Sequence, residues 1–253
     1  MRLFLHELRV EQKLFWRNRE AAFFTFALPV VFFLIFGAVY GSDTIKDGNS
    51  RVKGAAFLEA GMIGYGVAAT AFAGLAITLV IRREQGVLKR VRGTPLPPVT
   101  YLSAVLASTL LVFVVQTIII VVLGRALYGV RWPELPLSLV LTLLLGAAAF
   151  AALGLAITGG VRSAEGSSAV VNAVYLPMAI VSGTFFSQNG YPHFLKIIAD
   201  VLPLTYFTKL ARDVMLHGHE LWSRPGAVLW VAGWGIGGLL VAIRRFRWEP
   251  REA

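Results

Sequence analysis

The chain has 253 residues, 57% hydrophobic and only 15% charged, with a formal net charge of +10 and no cysteine. So small a polar fraction cannot cover a soluble globule of this size, and the apolar residues fall in long blocks, so a bilayer is the expected solvent. Structural disulfides, thiolate metal sites and thiol catalysis are excluded.

Residues 1–20 place Arg2, His6, Arg9, Lys13 and Arg17 on one helical stripe, with Leu3, Phe4, Leu8, Leu14 and Phe15 away from it. This predicts an amphipathic helix lying in the inner membrane interface, with Glu7 and Glu11 set inside its apolar sector. Six apolar blocks then predict membrane spans at about 21–41, 57–81, 102–123, 137–158, 167–186 and 226–243. The cleanest, 102–123, has no charge and fifteen Val, Leu, Ile or Phe residues; these favour insertion by roughly 5–9 kcal/mol, which one Gln116 cannot offset. The first block is too long for a signal-peptide core and no small-residue cleavage site follows it, so it reads as an uncleaved anchor. The expected architecture is an all-α integral membrane protein, with residues 1–20 as an interfacial helix and 21–253 as one six-span domain.

The second block is rich in small residues, from Gly61, Gly64 and Gly66 to Ala73 and Gly74, and is expected to be the central helix because backbones can approach it closely. Gly37 with Gly41, and Gly233 with Gly237, give small-xxx-small pairs in the first and last spans. Pro29 and Pro177 interrupt the first and fifth spans, and Pro177 precedes the small-residue break Ser182-Gly183-Thr184 and the pair Phe185-Phe186.

Between the second and third spans lies RREQGVLKRVRGTPLPPVTY, residues 82–101. Val87, Leu88 and Val91 share one side of a short helix, Glu84 stands near its start, Lys89, Arg90 and Arg92 crowd its middle and end, and Pro95 stops it. This is a docking knob for a soluble partner. Residues 187–225, after the fifth span, carry two apolar stripes separated by Pro203, which predict two short amphipathic helices dipping into the outer leaflet.

An even number of spans puts both termini on one side. Lys and Arg number five in the N-terminal segment, five in 82–101, one at Arg162 and four in the C-terminal tail; the opposite connections carry three, two and four, spread over more residues. The positive-inside rule therefore predicts cytoplasmic termini. The net charge reads as membrane orientation and attraction to anionic lipid, and the scattered basic residues form no nucleic-acid patch. No phosphate-binding G-x-x-x-x-G-K-[ST] loop is present, so nucleotide hydrolysis is not assigned to the chain on its own. His217 and His219 lack supporting carboxylate or thiol ligands in sequence, and no catalytic, cofactor or metal residues are assigned. Glu59 and Glu165 are not placed at mid-bilayer and suggest no proton path, and Arg212 and Asp213, a candidate gate ion pair, are helix neighbours that point in different directions.

Glu84-Gln85-Gly86-Val87-Leu88 followed by Thr94-Pro95-Leu96, and the later Ser182-Gly183-Thr184-Phe185-Phe186 and Leu202-Pro203-Leu204-Thr205-Tyr206, resemble type-2 ATP-binding-cassette (ABC) transporter permeases. The resemblance implies that the 82–101 segment is the coupling helix, with Glu84, Gly86, Val87, Leu88, Lys89, Arg90, Val91, Thr94 and Pro95 contacting the ATPase. In this picture Val87, Leu88 and Val91 insert into an ATPase cleft, and the 187–225 helices form a re-entrant outer gate. It also implies two copies of an ABC ATPase that hold ATP and Mg2+, and a second copy of the permease or a related permease. It further implies a prokaryotic plasma-membrane location and a chain that is not by itself an enzyme. Tyr65 and Phe72, seven residues apart on one face, with Phe185, Phe186, Phe207 and Leu210, are the candidate pathway or gate for a hydrophobic or amphipathic cargo such as a drug-like molecule, lipid or lipid-linked glycan. The competing classes are a membrane scaffold and a lipid-modifying membrane enzyme.

Overall fold

A computed structural model describes residues 2–48 and 50–249. Among the described residues, helices dominate, the strands form one small antiparallel hairpin, and six helical stretches are long and apolar enough to cross a membrane. Helix α1 (Arg2–Arg17) is followed by α2 (Arg19–Tyr40), the hairpin β1 (Thr44–Asp47) and β2 (Ser50–Lys53), then α3 (Gly54–Val67). A π-helical stretch, Ala68–Gly74, joins α3 to α4 (Leu75–Glu84), so the second span is one continuous rod. The short α5 (Val87–Arg92) precedes α6 (Pro98–Tyr128), α7 (Pro136–Thr158) and α8 (Ala164–Val181). Short helices α9 (His193–Val201) and α10 (Pro203–Leu216) lead to α11 (Pro225–Arg245).

Local chemistry sets the helix starts. Asn18 caps α2 by accepting from the Ala21 amide, Ser163 caps α8 by accepting from Gly166, and prolines occupy the first turn of α6, α7, α10 and α11, where their missing amide costs nothing. Both Pro29 and Pro177 lie within continuous helices. The fifth span ends at Val181 rather than near residue 186, because Gly183 turns the chain at φ 77°, a conformation in which L side chains are strained. The hairpin, absent from the sequence-based expectation, is closed through Gly48 at φ 59°.

The second span is the hub: 72% of its apolar window is buried, against 22% for α2 and for α11. Small residues allow this. A Cβ on Gly61 would lie 1.9 Å from the Thr184 carbonyl oxygen, one on Gly64 would lie 2.5 Å from the Thr208 hydroxyl, and one on Gly66 would lie 2.7 Å from Gln116 Oε1. On the facing helices, Gly124 of α6 accommodates Glu59 and Gly154 of α7 lies against the Phe72 backbone. In α11 the packed glycines are Gly235 and Gly238, set against Ala149 and Leu153 of α7, while Gly233 and Gly237 face open space.

Gly61→Leu should therefore destabilise the protomer by more than the about 1–3 kcal/mol typical of overpacking, since backbone rather than a flexible side chain opposes the new atoms. The check is the unfolding midpoint of the detergent-solubilised protein, with Gly233→Ala as a control that should leave it unchanged.

Candidate functional site

The knob is built from a tight root. After α4 the chain turns at Gly86, whose φ of 70° favours glycine, and α5 follows directly. The Thr94 hydroxyl donates to the Val91 carbonyl at 2.7 Å and closes the end of α5, Pro95 is exposed, and Pro98 opens α6. The apolar stripe does not project outward. Leu88 is 0% exposed and belongs to the protein's own core, with Val87 and Val91 half-buried. The expected insertion of Leu88 into a partner is thus corrected: in a six-residue helix the stripe is needed to seat the knob. The outward residues are Gln85, Lys89, Arg90, Arg92, Thr94 and Pro95.

Two consecutive arginines anchor this root on opposite sides. Arg82 donates from both terminal guanidinium nitrogens to Glu11 of α1 at 2.8 Å, and from Nη1 also to the Tyr101 hydroxyl of α6 at 2.9 Å. Glu11 therefore sits in the apolar sector of α1 because that sector packs inward, where the carboxylate meets a bidentate partner. Gln12 adds bonds to the Ser108 hydroxyl and carbonyl, at 2.9 and 3.1 Å. Arg83, 2% exposed, donates to the Thr158 and Val161 carbonyls at 2.8 and 2.7 Å, and its Nε meets Glu84 at 2.8 Å. Glu84 is thereby engaged within the chain. Beyond α11, Trp248 packs its ring 6.3 Å from that of Tyr101. The nearby Arg92–Glu249 pair, 3.9 Å apart and 60% exposed on both sides, is worth about 0–1 kcal/mol.

The six candidate pathway residues divide. Tyr65 joins an aromatic cluster with Phe32, Tyr175 and Phe185 at centroid distances of 5.6, 5.9 and 5.7 Å, and the Tyr175 hydroxyl donates to that of Tyr65 at 2.7 Å. Phe186 adjoins this cluster through Phe36 at 6.0 Å. Phe72 has none of these ring contacts among the described residues. The π-helical stretch between Tyr65 and Phe72 advances each residue round the axis by less than an α-helix does, so a seven-residue spacing no longer returns to one face. Phe207 and Leu210 are fully buried elsewhere, with Phe207 filling the notch at Gly146 and packing on Phe150 at 6.1 Å. Sequence reasoning missed Phe32, Phe36 and Tyr175; the seven-residue spacing of Phe32 and Val39 or of Tyr175 and Ser182 carries no aromatic signal.

At the opposite end of the bundle, Arg212 of α10 joins four segments. It donates to the Gly183 carbonyl, lies 3.8 Å from Asp47 of the hairpin and stacks 3.6 Å from the centre of the Phe57 ring. Adjacent Asp213 points away, to Arg224 at 2.6 Å, and His217 approaches Asp47 at 3.7 Å. Burial pushes the Arg212 guanidinium down to about 10, with Asp47 pulling the other way, and burial pushes the Asp213 carboxyl up against the pull of Arg224. Among the described residues no three His, Asp or Glu side chains are grouped to hold a metal. The buried Glu59 carboxyl group, against Gly124, has no hydrogen-bond partner among the described residues.

Because Leu88 is a core residue, Leu88→Ala should cost about 2–5 kcal/mol of protomer stability. A lowered unfolding midpoint of the isolated protein checks this; an unchanged midpoint would return Leu88 to the surface.

A membrane bundle with a short helix seated between its second and third spans is the arrangement against which known proteins can be compared. Residues 2–216 match the family described as ABC-2 type transporter. The chain is also 26% identical, over 214 residues covering 84% of it and 85% of the relative, to "Putative transport permease YvfS" of Bacillus subtilis (strain 168). The match over most of its length places the chain in the ABC-2 type transporter family, as a transmembrane transporter subunit.

Proposed function

We propose that this chain is the membrane subunit of an ATP-driven exporter and that α5 is its coupling helix. The observation that carries the reading is a knob whose root is fixed by Arg82, Arg83 and Leu88 while Lys89, Arg90, Arg92, Thr94 and Pro95 remain outward. Such an element is rigid where it joins the bundle and free where a soluble subunit would meet it. ATP and Mg2+ belong on that separate subunit, two copies of which would sit beneath two permease chains, either identical or related. Binding of ATP would favour one arrangement of the ATPases, and α5 would pass that bias to the spans.

The charge distribution supports an orientation in which the α5 end, α1 and both termini face the cytoplasm, with α1 in the inner interface of what we take to be a prokaryotic plasma membrane. On this reading α9 and α10 cover the outer end. The exposed Phe186, backed by Phe185 and the buried Tyr65, supports a hydrophobic or amphipathic cargo, since the surface it offers is aromatic.

Two experiments test the reading. Purification of the tagged protein from its host should recover an ABC ATPase. Arg90→Glu should reduce that recovery about tenfold or more while leaving the unfolding midpoint within about 0.5 kcal/mol of wild type, as for a surface substitution. Recovery of no ATPase by the wild-type protein rejects the exporter in favour of a scaffold. For topology, the absence of native cysteine makes introduced ones unique. Gln85→Cys and Arg51→Cys should react with a membrane-impermeant maleimide from opposite faces of sealed vesicles; labelling from the same face overturns the orientation.

A further inference from the structure

We infer that Arg83 is a positioning residue for coupling: its guanidinium makes α5 and the connection between α7 and α8 move as one body. The inference rests on the coupling role proposed for α5 and names the route by which displacement of the knob reaches the far end of the bundle.

Three features assign this role. First, Arg83 is buried and fully engaged on three of its nitrogens, with Nη1 on the Thr158 carbonyl, Nη2 on the Val161 carbonyl and Nε on Glu84. Thr158 is the last residue of α7, where carbonyls lack intrahelical partners and carry partial negative charge, so a cation complements them. Second, α5 begins only four residues after Arg83, and Leu88 seats it in the core. A push on α5 therefore reaches the last turn of α4 without a flexible linker. Third, Val161 stands three residues before α8, which carries the Tyr175 hydroxyl bonded to Tyr65 and ends beside Gly183, whose carbonyl Arg212 holds. The adjacent Arg82 points instead to α1 and α6, so the two arginines separate the load: one holds the knob to α1 and α6, the other drives α8.

The geometry requires the forked guanidinium. A lysine ammonium retains the charge but presents a single point of contact, and cannot bridge two carbonyls and a carboxylate in fixed directions. Arg83→Lys should thus preserve the fold while loosening the bridge.

The test uses the full-length protein with the ATPase that co-purifies with it. Gly190 is exposed, and a Cβ there meets nothing within 4 Å, so Gly190→Cys is a unique reporter at the far end. In the otherwise wild-type complex, ATP and Mg2+ should change the maleimide reactivity of this cysteine. In the Arg83→Lys complex, ATP hydrolysis should persist within about twofold while the ATP-dependent change in reactivity falls about tenfold. Hydrogen exchange in residues 158–164 should likewise respond to the ATPase in wild type and not in Arg83→Lys, and Arg83→Met, lacking the charge, should show at least the same loss. An undiminished reactivity change in Arg83→Lys overturns the inference, as does a wild-type complex that hydrolyses ATP with no response at Gly190→Cys. Failure of Arg83→Lys to fold or to hold the ATPase also overturns it, since the residue would then serve assembly alone. Absence of any ATPase from the wild-type preparation instead defeats the exporter reading, a result distinguishable from all of these.

Discussion

Inside a bilayer, apolar side chains gain nothing by leaving lipid for one another, so helix association depends on how closely backbones can approach. In this protein that constraint is concentrated on the second span. Gly61, Gly64 and Gly66 admit the loop after α8, the Thr208 side chain of α10 and Gln116 of α6, and Gly154 of α7 closes on its backbone at Phe72. At these points the elements that meet the rod lie at distances that leave no room for one additional methyl group. Close packing on this scale resists gradual deformation, so motion is expected to take the form of rigid shifts of helices rather than bending of side chains.

The middle of the bundle is chiefly small and apolar, with Gln116 bonded to Thr70 and to the Thr25 carbonyl and Tyr175 bonded to Tyr65; at the two ends the directional contacts are centred on arginine. Arg82 and Arg83 hold the root of α5, and Arg212 joins the hairpin, α3, α10 and the loop after α8. The chemistry favours arginine because a planar fork can satisfy several acceptors at once and is more weakly hydrated than an ammonium. Burial decides how much each contact matters. The Arg82–Glu11 pair is desolvated and bidentate, so loss of one partner would leave an uncompensated buried charge, whereas the exposed Arg92–Glu249 pair is screened by water and salt.

The six spans were legible in the sequence because a block of about 20 apolar residues has one physical outcome in a cell, whatever its neighbours do. The centrality of the second span was legible for the same kind of reason, through its glycines. Features that depend on which way a face turns were not. The wheel of residues 87–92 shows a stripe of Val87, Leu88 and Val91 but not that Leu88 faces inward. The spacing of Tyr65 and Phe72 assumes α-helical rotation, which the π-helical stretch breaks. Gly233 and Gly237 fit a familiar spacing, yet Gly235 and Gly238 make the contact, since the pattern cannot say which side of α11 meets α7. Two signals do stand in the sequence: Gly48-Asn49 between short alternating segments is a hairpin dipeptide, and Glu11 in an apolar sector calls for a buried cation.

The inward turn of Leu88 changes what kind of docking α5 can perform. An apolar helix face inserted into a cleft would bind by burial and be insensitive to salt. With that face already occupied by the protein's own core, the surface left for a partner is dominated by Lys89, Arg90 and Arg92 around the Thr94-Pro95 turn. Under the proposed coupling role, recognition then rests on charge and shape, which favours an acidic rim on the ATPase and an association that weakens as the Debye length shortens. The same arrangement separates two tasks that a wholly apolar knob would confuse. On the proposed reading, specificity would lie in exposed charges that can differ without unfolding the permease, and transmission in the buried root, where Leu88, Arg82 and Arg83 bind the knob to the bundle on either side.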